Sequence, residues 1–174
     1  EVMKRLFKGG GIASEDSARL TPADVLVEEN RIVRVAPNLD GPPGCEVIDC
    51  AGMVLLPALF DLHVHAREPG QEQKETIQTA SEAAINGGVT GFVMMPNTLP
   101  AIDSAGVVKT VLEAAGRCRI PVWTSGAITK GREGRELAAI GAMKAAGAVM
   151  ITDDGFPVSN PVVLRRAMEY ARDF

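Results

Sequence analysis

The sequence predicts an α/β protein: a small β-rich part over residues 1–54, then four strand–helix units of a parallel sheet over residues 55–174. Three observations predict it. The hydrophobic pattern changes near residue 54, from short alternating runs to continuous apolar ones. Four such apolar runs alternate with four stretches of helical spacing, and each run ends in a polar cluster: "HVHAR", "PNT", "SGAITK" and "TDDG". Strict alternation of strand and helix implies parallel strands joined by right-handed crossovers, the hand that packs each helix back onto the sheet. Four units fit an open doubly wound sheet or half of a (β/α)8 barrel, since a whole barrel needs about 250 residues.

The elements follow in order. "DVLVEE" (24–29), "RIVRVA" (31–36) and "CEVIDC" (45–50) read as short strands separated by the turn chemistry of "EN" and "NLDGPPG". Val25 and Val27, then Ile32 and Arg34, give the alternation of half-exposed antiparallel strands. Glu15 and Asp16 read as a solvated turn, and the glycines at 9–11 form no phosphate loop because no helix with a lysine follows. "MVLLPALFDLHVH" (53–65) reads as one buried strand, and the helix after it, 74–86, carries Ile77, Ala80 and Ala84 and closes on Gly87 and Gly88. "TGFVMMP" (90–96) is the second strand, with Val108, Val111, Leu112 and Ala115 on its helix. "IPVWTSGAI" (120–128) is the third, followed by an Ala-rich helix at 134–146. "AVMITDD" (148–154) is the fourth, followed by Leu164, Ala167, Met168 and Ala171 at helical spacing. Met94, Met95 and the single Trp123 read as packing, and "TKGREGRELAAI" (129–140) as a mobile rim loop in which nothing requires catalysis.

Composition narrows the partners. With a net charge of -4 and scattered Lys and Arg, the chain offers no basic patch for nucleic acid or an anionic membrane surface, so a small-molecule partner is favoured. No apolar stretch reaches membrane-span length and no signal pattern opens the chain, which predicts a soluble, cytoplasmic protein. Cys45, Cys50 and Cys118, an odd set without a CxxC, fit reduced thiols in that compartment. The first residue is Glu1, so either processing removed residues or the chain begins inside its gene.

In parallel βα architectures, ligands sit at the C-terminal ends of the strands, where all four polar clusters fall. Period-two geometry turns His63 and His65 inward together, with Val64 toward the helices. They are the only two histidines of the chain, and a pair so placed reads as metal ligands rather than hydrogen-bonded core histidines. Zinc takes three or four protein ligands, so others must come from further strand ends; Asp153 and Asp154 are the acidic candidates. Parity does not choose between them, and "DDG" also fits a turn or helix cap. Arg67, two residues past His65, has the planar fork that grips a carboxylate bidentately. Its bland alternative is a cap on a carbonyl or a pair with Glu68 or Glu72, as "PNT" is alternatively a plain turn.

"DLHVHAREPGQEQKETI", "GGVTGFVMMPNTLPAID" and "AVMITDDGFPV", in that order, resemble the N-terminal half of bacterial dihydroorotases in the amidohydrolase superfamily, over almost all of the chain from about residue 20. The resemblance implies the first four βα units of a (β/α)8 TIM-like barrel. It implies a zinc-dependent enzyme of pyrimidine biosynthesis that reversibly hydrolyses the cyclic amide of dihydroorotate to N-carbamoyl-aspartate. A dinuclear zinc centre there activates the attacking hydroxide. Carried over by residue, His63 and His65 become ligands of the more buried metal and Asp154 the bridging carboxylate, with His65, Arg67 and Asn97 at the substrate. Dihydroorotate has a carboxylate for Arg67; hydantoins and dihydropyrimidines have none. Dihydropyrimidinases carry a carboxylated lysine after strand four, and "MITDDG" has no lysine. The family's two further histidines and general-base aspartate have no counterpart after Asp154, which implies an incomplete piece of a longer enzyme, hydrolytically inactive alone. Two other readings stay open: another cyclic-amide hydrolase, an allantoinase or dihydropyrimidinase, or a noncatalytic dihydroorotase-like subunit of aspartate carbamoyltransferase. Such subunits are expected to have lost the HxH pair. A homo-oligomer or a complex with that transferase is the implied assembly.

Overall fold

The alternating runs at the start of the chain become strands. The computed structural model describes residues 3–14 and 17–174, so the turn expected at Glu15 and Asp16 lies outside the described residues. Contacts divide the chain into Glu1–Pro57 and Ala58–Phe174.

The first unit contains β1 (Lys4–Lys8), β2 (Gly11–Ser14), β3 (Ser17–Pro22), β4 (Asp24–Glu28), β5 (Arg31–Ala36), β6 (Glu46–Asp49) and β7 (Val54–Leu55). They form two sheets, ordered β5-β4-β1-β6 and β3-β2-β7. Strands β4 and β5 pair antiparallel, and Glu29 and Asn30 between them are both left-handed, with φ of 46° and 64°, as a tight hairpin turn of matching twist requires. Leu6, Val25, Leu39 and Cys50 are buried. The carboxylate of buried Asp24 joins two loops, accepting hydrogen bonds from Gly9 N (2.7 Å) and Leu39 N (2.8 Å). β1 to β3 lie outside the expected strands; "KRLFK" buries only Leu6, too weak a pattern to read.

The second unit contains β8 (Leu59–Val64), α1 (Ile77–Asn86), β9 (Val89–Met94), α2 (Ala105–Ala115), β10 (Val122–Gly126), α3 (Ile140–Ala146), β11 (Met150–Ile151) and α4 (Pro161–Ala171). Its four strands are parallel, in the order β11-β10-β9-β8. The helices and sheet enclose one core, in which Phe92, Met94 and Val122 meet Ile77, Val108, Val111 and Met143. Burying each side chain of this size stabilises the fold by about 1.5–3 kcal/mol before ordering costs. Gly91 has a steric reason: a Cβ there would lie 3.0 Å from Phe60 and 3.1 Å from Trp123, whose rings meet edge to face at 5.2 Å.

Several expected elements change. The run 53–65 is not one buried strand: Val54–Leu55 pair with β2, and β8 starts at Leu59. β8 has a neighbour on one side only, which leaves Leu59, Phe60 and Leu62 exposed at 53%, 46% and 64%. α1 starts at Ile77 rather than 74 because Thr76 caps it through a reciprocal capping box with Thr79. α3 is half the expected 134–146, because the chain before it is held in a 3-10 turn at Lys130–Arg132 and a bridge from Thr129 to Leu137. On α4 only Ala167 is buried; the two-residue edge strand β11 offers too little sheet to cover the face that also carries Leu164 and Met168. Cys45, Cys50 and Cys118 are all free thiols. Among the described residues no helix is long and apolar enough to cross a membrane.

Candidate metal centre

Val64 orients the two histidines. Its side chain packs against the core and its carbonyl accepts from Met95 N at 2.9 Å, so the residues on either side are turned away from the helices. At the far end of the sheet, "TDDG" splits its two carboxylates. Asp153, 5% exposed, points into the protein: Oδ1 accepts from Ile128 N (2.8 Å) and Thr129 N (3.1 Å), and Oδ2 from the Thr129 hydroxyl. Asp154 faces the histidines, with Oδ1 3.2 Å from His63 Nε2 and Oδ2 3.6 Å from His65 Nε2. The three ligand atoms lie within 4.8 Å of one another. Side-chain exposure falls from 56% for His63 to 33% for His65 and 17% for Asp154, so the cluster opens on the His63 side.

Asn97 links two of these groups. Its amide nitrogen donates to Asp154 Oδ2 at 3.1 Å, which leaves its oxygen 2.9 Å from His65 Nδ1. That oxygen only accepts, so His65 carries a proton on Nδ1, and in the neutral ring Nε2 presents a lone pair toward Asp154. A carbonyl-type acceptor behind a ligating histidine is the usual support for metal binding. Nitrogen lone pair and carboxylate oxygen face each other 3.6 Å apart, too far for a hydrogen bond. This donor set fits a divalent cation held by His63, His65 and Asp154.

Arg67 lies in the loop after the histidines, at a left-handed φ of 56°. Neither carboxylate weighed as its surface partner takes it: Glu68 accepts from Ile77 N and Glu72 from Gly70 N, at 2.8 Å and 2.7 Å. Among the described residues no hydrogen bond or ion pair holds its guanidinium, and none joins it to the His63, His65 and Asp154 cluster. The loop is docked by Gly70, where a Cβ would fall 1.8 Å from the Leu99 carbonyl oxygen. One residue near the cluster escaped the sequence reading. Arg132, in the rim loop 129–140, donates from Nη1 to the Asp154 carbonyl at 2.7 Å and lies 5.1 Å over the Phe156 ring. Its only signal in the sequence is the pair of glycines in "GREG" that frees the backbone around it.

The second unit is an α/β fold whose curled parallel sheet carries this cluster at its strand ends, a half-barrel shared with solved structures. A D-hydantoinase structure matches with a TM-score of 0.75 and 21% identity, over 98% of this chain and 38% of that one. The L-hydantoinase (dihydropyrimidinase) of Arthrobacter aurescens matches with a TM-score of 0.72 and 24% identity, over 84% and 32%. The family model for dihydro-orotase-like proteins matches residues 52–174. The chain is 50% identical to a dihydroorotase of Solibacter usitatus and 45% identical to one of a Sulfurihydrogenibium species, over 99% and 95% of its own length. The chain belongs to the dihydroorotase-like family, and it spans about 40% of the length of these curated relatives.

Proposed function

We propose that this chain carries the metal-binding part of a zinc-dependent dihydroorotase, which interconverts dihydroorotate and N-carbamoyl-aspartate in cytoplasmic pyrimidine biosynthesis. The observation that carries the reading is the convergence of His63 Nε2, His65 Nε2 and the Asp154 carboxylate in a chain of this family. Residues 55–174 then contribute the first four βα units of the hydrolase barrel, and residues 1–54 a small appended β domain. His63 and His65 would hold one zinc ion, with Asp154 as the carboxylate it would share with a second. Bound zinc supplies a water made acidic near neutral pH and polarises the scissile carbonyl. Asn97 keeps His65 in the tautomer that ligates, and His65, Arg67 and Asn97 hold the substrate. The guanidinium of Arg67, without a hydrogen bond or ion pair among the described residues, suits the carboxylate that dihydroorotate has and simple hydantoins lack. With His63 and His65 the only histidines of these 174 residues, a second zinc ion would need ligands besides this cluster.

The test is turnover of dihydroorotate, hydantoin and dihydrouracil by the intact enzyme, as wild type and as Arg67→Ala. A loss of about a hundredfold or more for dihydroorotate is expected, the scale of a lost buried charge pair. Wild-type preference for hydantoin or dihydrouracil would instead assign the chain to the hydantoinase branch.

A further inference from the structure

Arg132 occupies a conformation that a surface arginine has no reason to keep. Gly131 and Arg132 are consecutive left-handed residues, φ 58° and 60°, and only the first is a glycine, for which this region is free of strain. The Nε of Arg132 is buried and has no hydrogen-bond partner among the described residues. Swinging the side chain into water would hydrate that N–H. Two contacts hold it instead, and both belong to the turn that carries Asp154: Nη1 on the Asp154 carbonyl and the guanidinium over Phe156. The same turn is tied from its other side, because the Asp153 carboxylate takes Ile128 N, Thr129 N and the Thr129 hydroxyl. The Thr129 oxygen in turn accepts from Gly134 N at 2.9 Å. Loop 129–134 and turn 153–156 are therefore one hydrogen-bonded block. Within it Asp153 fixes its own side chain, and Arg132 fixes the main chain from which the Asp154 carboxylate reaches His63 and His65.

We propose that Arg132 is a positioning residue for the Asp154 carboxylate, setting the affinity and symmetry of the divalent-cation site without touching the cation. The proposal rests on the metal-site reading above. A strained backbone kept by contacts to one functional turn is the mark of a residue retained for placement, and supports behind a metal ligand change affinity by tenfold or more.

The test is Co2+ titration of the full 174-residue chain, followed by the visible absorption of the bound ion, together with thermal unfolding of the metal-free proteins. Arg132→Gly removes the side chain at a position whose φ suits glycine, so relief of backbone strain offsets the lost contacts and the metal-free Tm should stay close to that of the wild type. Its Co2+ Kd should rise about tenfold with a changed absorption spectrum, and Arg132→Lys, which keeps one charged donor, should recover part of the affinity. His63→Ala should abolish the spectrum. Wild-type Kd and spectrum in Arg132→Gly, with His63→Ala binding lost, would overturn the positioning role while leaving the metal site standing. A fall in metal-free Tm that accounts for the lost affinity would also overturn it, in favour of a purely structural role. Unchanged Co2+ binding in His63→Ala would remove the site itself. If Arg132→Gly does not fold, Arg132→Lys carries the same comparison, with a reduced affinity expected at unchanged Tm.

Discussion

Asp153 and Asp154 are neighbours in the chain but meet different surroundings. Three donors from Ile128 and Thr129 claim the first, and the second faces His63 and His65. Asp153→Ala leaves those donors without their acceptor inside the protein, and should lower stability by about 3 kcal/mol in denaturant unfolding. Asp154→Ala should leave the unfolding midpoint close to that of the wild type and sharply weaken divalent-cation binding in equilibrium dialysis. Equal metal loss in both variants would contradict this division. The histidines were legible in the sequence because they are two, adjacent in parity and at a strand end. The choice between the aspartates was not, since it depends on where the N–H groups of Ile128 and Thr129 lie, some 25 residues earlier. Arg132 was hidden for the same reason: its place depends on a left-handed backbone and on partners in a distant turn.

Among the elements, the pattern that foretold β4 and β5 also foretold their turn, because Asn30 readily takes the left-handed conformation that a hairpin needs. Helix length was less legible. Residues 134–139 have helical composition, yet Thr129, Lys130 and Ala138 commit that stretch to loop hydrogen bonds before α3 can start. Asp24 gives the first unit a pH dependence. The hydrogen bond from Gly9 N, assisted by Leu39 N and the charge of Lys8, holds its carboxyl below the ordinary value of 3.8, against the opposing effect of burial. A lowered folded-state value means that the stabilisation is complete above the unfolded-state value, about 3.9, and is lost as pH falls through the folded-state one. The urea midpoint of the chain should therefore drop between pH 6 and pH 3, and Asp24→Asn should lower the pH 6 midpoint and flatten the drop. An identical pH dependence in the variant would remove Asp24 as its source.

At the scale of the whole molecule, the alternation of apolar runs and helical stretches was enough to read a parallel sheet with its polar clusters at one end. Four such strands that do not close into a barrel also leave the first of those runs an edge. β8 presents Leu59, Phe60 and Leu62 to solvent on an edge strand, a surface that invites association. The 174-residue chain should self-associate at micromolar concentrations in sedimentation velocity, and Leu62→Lys should shift it toward monomer; a strictly monomeric wild type would count against that edge being sticky. Metal binding remains the property on which everything else depends, and zinc content after equilibrium dialysis measures it most directly. Wild-type protein should hold about one zinc ion per chain, the count that a single cluster of three ligands supports. His63→Ala and His65→Ala should each hold almost none while keeping the wild-type circular dichroism. Undiminished zinc in either variant would contradict the site.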